Sequence, residues 1–360
     1  MAPYFIIYLQ IAFMASVSSF RRVSPYAWIT VFVLILVFVG LRHRVGMDWN
    51  NYLWMIERAN RGGLIDAFQV AEPGYATLLW ISGQMGWGVY GAYLMGTFIF
   101  ALGLFRYAWT TPSPWLALVV AFPYLIVVVA MSGARQAVAI GVLLWLFARW
   151  SQSSIFYKFF LIVLAANFHS SAIVFLGLVA FDDRLRMFSR FILGITSLAL
   201  LAYFVADSDH FSFYQQAYFA GENSVAAVEA GGALFHVALN AGPAAVAFAF
   251  RRNIRNVLMP DTLHRHLAYA ALLMVPIAFI TSVGASRFSL YLFPASMMIV
   301  SSFPLLLKTF SEKKFYCFLV SVLYLAVLTV WLVFANNARA WQNYSNALFV
   351  DPSLLILCCK

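Results

Sequence analysis

The sequence predicts an all-α polytopic membrane protein, and three observations predict it. Hydrophobic residues make up 64% of the 360-residue chain and charged residues only 10%, with a mean hydropathy of +0.85, far from the composition of soluble domains. Apolar runs of roughly 16 to 25 residues recur along the whole length, close to the roughly 20 that a helix needs to cross a bilayer. The strict apolar–polar alternation of a membrane β-barrel is absent, so backbone polar groups must be satisfied within helices.

The first run, Ala2 to Phe20, has no basic residue before it and Arg21 and Arg22 after it. That is the wrong polarity for a cleaved signal peptide, so it reads as a retained first helix. Further spans are expected near 26–41, 91–109, 115–131, 135–149, 190–206, 234–250, 267–283, 288–307 and 315–335, placed by apolar length and by charged or Pro/Gly punctuation. With the first, they make about ten transmembrane helices. Ile155 to Phe181 is apolar for longer than one span needs, yet Asn167, His169, Ser170 and Ser171 interrupt its middle. It reads as a broken, re-entrant pair of half-helices, an arrangement tolerated only where backbone lines a protein cavity. Two sizeable outer loops are expected, 42–90 and 207–232, and Pro73 opens a short surface helix to Trp87 in the first. No internal repeat and no linker divides the chain, so residues 1–360 read as a single integral membrane domain.

The net charge of +10 resides in short loops between spans, so topology accounts for it and nucleic acid is not called for. Placing 42–71 outside leaves only Arg42, Arg44, Arg58, Arg61, Arg135, Arg287, Arg339 and Lys360 on the outer face, a clear positive-inside bias. Cys317, Cys358 and Cys359 have neither metal-ligand spacing nor the pattern of a disulfide framework. No metal is expected, since no Cys/His/Asp set has metal spacing, and neither a P-loop nor a dinucleotide fingerprint occurs. All acidic residues fall in predicted loops, which disfavours an ion-coupled carrier that needs an ionisable group at mid-membrane.

The outward basic residues are therefore the informative ones. Arg135, in "MSGARQAVAIG", opens a predicted helix, where a cation opposes the helix dipole at a loss of about 0.3 to 1 kcal/mol. A resident anion reverses that penalty, and a guanidinium fork beside free N–H groups suits a phosphate or pyrophosphate. The alternative is an interfacial arginine snorkelling to lipid phosphates. Gln136 beside it favours a ligand, and Arg287 in "GASRFSLY" offers a second outward cation suited to a diphosphate. His169, at the half-helix break, is either a hydrogen-bonding strut or a proton-transfer group. The loop "RHRVGMDWNNY" to "EPGY" gathers Arg42, His43, Arg44, Asp48, Tyr52, Glu72 and Tyr75. Carboxylates beside aromatic faces suit sugar recognition; Asp48 and Glu72 pairing with arginines is the competing explanation.

The ordered series "RVGMDWNNY", "EPGY", "GARQAVA", "NFHSSA" and "SRFSLY" resembles the EpsG family of Wzy-type exopolysaccharide and O-antigen polymerases. The resemblance covers roughly Arg42 to Ala172 well and the remainder by span pattern and the late arginine. Where family members commonly read S-R-Q, this chain has Ala134, Arg135 and Gln136, which keeps the arginine and glutamine but loses a hydroxyl. The resemblance implies a bacterial inner-membrane glycosyltransferase whose active site faces the periplasm or exterior. It implies two polyprenyl-pyrophosphate-linked oligosaccharides, donor and acceptor, as substrates, no cofactor, and as partners membrane lipids, a chain-length regulator (co-polymerase) and a flippase. An outer-loop acid after the second helix is also similar to the GT-C architecture, by analogy of fold alone.

The expected chemistry is metal-independent transfer of a growing glycan from polyprenyl pyrophosphate to the non-reducing end of a lipid-linked repeat unit. Arg135 and Arg287, with Gln136, Arg42 and Arg44, are expected to bind pyrophosphate. His169 or Asp48 is expected to take the acceptor proton, and Asp48, Tyr52, Glu72 and Tyr75 to hold sugar. The alternatives are another lipid-linked glycosyltransferase or a ligase and, in a different class, a flippase for the same lipid-linked oligosaccharides.

Overall fold

The computed structural model describes residues 1–17, 23–181, 185–206, 233–280 and 282–350. The outer loop expected at 207–232 lies outside the described residues, as do Arg21, Arg22, Asp182, Asp183, Arg184, Asp351, Cys358, Cys359 and Lys360. The order is α1 (Ala2–Val17), α2 (Pro25–Gly40), β1 (Arg42–His43), α3 (Trp49–Ala59), α4 (Leu64–Ala67), α5 (Pro73–Gln84) and α6 (Gly88–Thr110). Then come α7 (Pro114–Ala121), a π-helical stretch (Phe122–Val129), α8 (Ala134–Phe147), α9 (Ile155–Ala166), a 3-10 stretch (Ser170–Phe175), α10 (Leu176–Ala180) and α11 (Met187–Ala206). The later elements are α12 (Ala233–Ala249), α13 (Arg252–Leu258), α14 (Thr262–Ile280), α15 (Ser282–Leu290), α16 (Phe293–Ser302), α17 (Phe310–Phe334), α18 (Arg339–Gln342) and β2 (Ser345–Asn346).

A helix stands at each expected span, but most are short. Among the described residues, α6 and α17 alone are long and apolar enough to cross a bilayer, and α15 with α16, bent by 49°, passes as a pair. The 16-residue α1 and α2 reach about 24 Å each, short of a hydrocarbon core of about 30 Å. The expected half-helix break is present: α9 ends at Ala166, and the chain resumes in a 3-10 turn from Ser170. The surface helix expected at Pro73–Trp87 runs from Pro73 to Gln84, with Pro73 at its start, where a missing N–H costs nothing.

Three features escaped the sequence reading. The segment before Pro73 is itself helical, in α3 and α4. A π-helical stretch opens with Phe122 and Pro123, with Ala130 N–H reaching back to Leu125 O at 3.0 Å. Such turns misalign backbone partners, and Trp341 Nε1 from α18 donates to the Val127 carbonyl at 3.0 Å. Finally, the chain after α17 returns as a strap. β2 pairs antiparallel with β1, Tyr344 donates to Phe38 O at 2.8 Å, and Asn346 Nδ2 donates to Val37 O at 3.0 Å, fixing the end of α2.

Among the described residues, the larger apolar cluster runs through α1, α2, α5 to α9, α16 and α17, and a smaller one joins α12, α14 and α15. Helix α8 is buried almost throughout and crosses α6 where Gly103 and Gly141 meet. A Cβ on Gly103 would collide with the Gly141 carbonyl, and one on Gly141 with the Phe100 backbone. Small residues at a crossing let two membrane helices approach closely. The Gly141→Val variant is expected to lose about 1–3 kcal/mol of stability through overpacking. Thermal denaturation of the detergent-purified protein would measure the loss; an unchanged midpoint would mean that α6 and α8 are not closely packed there.

Candidate active site

Three of the five sequence motifs, distant along the chain, meet at one carboxylate, and the other two bond to residues of those three. Glu72 immediately precedes α5, and its Oε2 accepts from Arg135 Nη1 at 2.8 Å. Its Oε1 faces His169 Nδ1 at 3.2 Å and accepts the Ser170 backbone N–H at 3.2 Å. The Glu72 side chain is 16% exposed, that of His169 12% and that of Arg135 32%. Arg135 is in the first turn of α8, and its own N–H donates to the Tyr52 hydroxyl at 3.2 Å.

Local backbone chemistry explains why "EPGY" holds this position. Pro73 starts the helix, and Gly74 lies against the half-helix break, donating its N–H to Asn167 O at 2.9 Å. A Cβ on Gly74 would sit 2.8 Å from that same oxygen, so only glycine allows the approach. The preceding glutamate is thereby delivered to the N–H of Ser170 at the break. Ser171 Oγ then meets Tyr291 of "SRFSLY" at 2.9 Å.

The first motif braces the loop in front of α8. Gly46 has φ +99°, and a Cβ there would strike the Met131 carbonyl. Arg42 Nε donates to that carbonyl at 2.9 Å and its Nη1 to Val39 O at 2.8 Å, while the guanidinium lies 3.7 Å from the Tyr93 ring centroid. Fully buried, Arg42 is a brace between α2 and the approach to α8. His43, beside it, pairs with the Tyr90 hydroxyl.

Other expected site residues separate into groups. Arg44 is exposed at φ 53°, and no hydrogen bond joins it to the Glu72 cluster. Asp48 is half-buried just before α3, one turn from Tyr52 on the same helix face. Tyr52 and Tyr75 are buried, with ring centroids 5.6 Å apart, and Tyr52 packs edge-on against Tyr93. Both rings are turned into the core, whereas α3 exposes Trp54. Gln136 is buried and donates through Nε2 to the Arg287 carbonyl at 2.9 Å. That bond brings the half-helix carrying Arg287 against the first turn of α8, with Gln136 as its tie rather than an exposed ligand.

The sequence reading missed the Ser170 N–H, Tyr291, and two α12 residues, His236 and Asn240, that contact α15. The last pair carried no motif signal; only helical spacing, four residues apart, set them on one face.

Burial opposes ionisation of Glu72, but the His169 hydrogen bond and the Arg135 charge outweigh it and hold the carboxyl well below the ordinary range. The arrangement is a cation, an anion and a histidine in contact. The carboxylate orients the imidazole through Nδ1, which leaves Nε2 as the atom able to accept a proton.

A family model described as EpsG family matches residues 25–346. No curated protein and no solved structure matches the chain.

Because the folded value of Glu72 lies below its unfolded one, its contribution to stability is fully present at neutral pH. It is lost only as pH falls through the folded value, below about 4.3 where a free glutamate titrates. Glu72→Gln should therefore remove that part of the acid destabilisation, seen as a flatter fall of the melting temperature below about pH 4. Identical pH profiles for the two proteins would show that Glu72 is not ion-paired.

Proposed function

The chain belongs to the EpsG family, and from that membership and the site geometry we propose that it is a polysaccharide polymerase. It transfers a growing glycan from polyprenyl pyrophosphate to a lipid-linked repeat unit, at the outer face of the bacterial inner membrane. The observation that carries this reading is Glu72, bound at once by Arg135 and by His169 beside a half-helix break. A positioned base next to a guanidinium is the minimum that glycosyl transfer from a diphosphate requires.

The acceptor hydroxyl oxygen attacks the anomeric carbon, the bond from that carbon to the pyrophosphate oxygen breaks, and the hydroxyl proton passes to His169 Nε2. Glu72 fixes the ring and stabilises the imidazolium that forms, so His169 takes precedence over Asp48 as the base. Arg135 holds the departing diphosphate with the guanidinium edges that Glu72 does not occupy, and Arg287 binds it from the facing half-helix. Charge developing on the leaving oxygen is met by cations already in place, the preorganisation that contributes most in many enzymes. Asp48 orients the acceptor sugar. Donor, acceptor and a chain-length regulator are the partners this reaction calls for, with a flippase supplying the lipid-linked units.

Purified protein incubated with a lipid-linked repeat unit should give a ladder of chain lengths together with free polyprenyl pyrophosphate. A single addition would identify another lipid-linked transferase or ligase, and relocation of the unit across a bilayer without lengthening would identify a flippase. Arg135→Lys keeps the charge but loses the fork and should still lower polymer formation strongly while the protein inserts normally. His169→Ala should cost about 10²–10⁴ in rate; wild-type turnover by that variant would reduce the histidine to a strut.

A further inference from the structure

Half-helix α15, which carries Arg287, is held by side chains of two other helices. Its neighbour across the site is Gln136 of α8, bonded to the Arg287 carbonyl at 2.9 Å. That carbonyl lies in the last turn before the bend, where Tyr291 N–H turns to Phe288 O instead of continuing the helical pattern. From α12, Asn240 Nδ2 donates to Ser289 O at 2.7 Å, and its Oδ1 accepts from Ser296 Oγ at 2.9 Å, so one amide joins both halves of the bent pair. One turn earlier on α12, His236 Nδ1 meets Ser286 Oγ at 2.6 Å, with its ring edge-on to Tyr124 at 4.4 Å.

These contacts differ in what they fix. Bonds to backbone carbonyls set the height of α15 against its neighbours, whereas a bond to the Ser286 side chain sets its rotation. Successive residues on a helix point about 100° apart. Holding Ser286 toward α12 therefore decides where Arg287 directs its guanidinium. We infer that His236 is a positioning residue of the site, which through Ser286 aims Arg287 at the lipid-linked diphosphate. This rests on the reading of Arg287 as a diphosphate ligand.

The test uses the full chain purified in detergent, with undecaprenyl pyrophosphate as the binding probe and polymer formation as a second readout. His236→Phe keeps a ring against Tyr124 but removes the bond, and Ser286→Ala removes it with little change of volume. Each should weaken probe binding about three- to tenfold, the range of one hydrogen bond between membrane helices. The double variant should be no worse than either single one. His236→Asn, whose amide replaces Nδ1, should restore most of the binding, and KM for the donor should rise more than kcat falls. Wild-type binding by Ser286→Ala, or fully additive losses in the double variant, would overturn the inference. Binding lost in Arg287→Ala but retained in His236→Phe would overturn it alone; undiminished binding by Arg287→Ala would remove the diphosphate reading and the inference together.

Discussion

A carboxylate buried among helices must be compensated or it does not stay ionised, and Glu72 is the group on which the rest of the site depends. Three local liabilities are resolved by it at once. Arg135 at the start of α8 opposes the helix dipole, the Ser170 N–H at the break after α9 is directed at the site, and a histidine in that break needs an orienting partner. Each of these is unfavourable by itself in an apolar surrounding. With Glu72 between them, the guanidinium, the imidazole and the Ser170 N–H share one anion.

Holding that carboxylate in place takes backbone geometry as much as charge. Gly74 lets α5 lie against the Asn167 carbonyl, and Gly46 and Arg42 converge on the Met131 carbonyl just ahead of α8. The strap that ends in β2 then closes over the same region, with Gly46 N–H donating to Ala340 O at 3.1 Å. Helices that are individually short gain precision here because their ends, and not only their apolar faces, are bonded to one another.

Much of this was legible in the sequence, for definable reasons. Hydropathy located the apolar helices, the polar interruption at Asn167–Ser171 located the break, and an arginine at a helix start identified Arg135 as out of the ordinary. Arg42 and Arg44 were not separable, because what buries Arg42 and leaves Arg44 exposed is the pairing of Arg42–His43 with β2, some 300 residues later. The burial of Tyr52 and Tyr75 was not legible, because composition cannot say which face of a loop helix is covered; α3 turns its tyrosine inward and Trp54 outward. His236 and Asn240 sit in an apolar run without a motif, and only the bend of 49° between the two halves of a late span gives them something to bind.

The same ion cluster constrains the proposed chemistry. With neutral His169, Arg135 and Glu72 balance, so the resting contact group carries no net charge. Proton transfer from the acceptor makes the histidine cationic while departure of the glycan places an additional negative charge on the diphosphate. Both changes occur within one contact group, so each offsets the other where solvent is largely excluded and Coulomb terms are strong. A cluster without Glu72 would hold two adjacent cations once the proton had moved, which would resist that transfer. In the proposed reaction, the carboxylate that ties Arg135 to the half-helix break is thus also the group that would make the histidine a usable base beside an arginine.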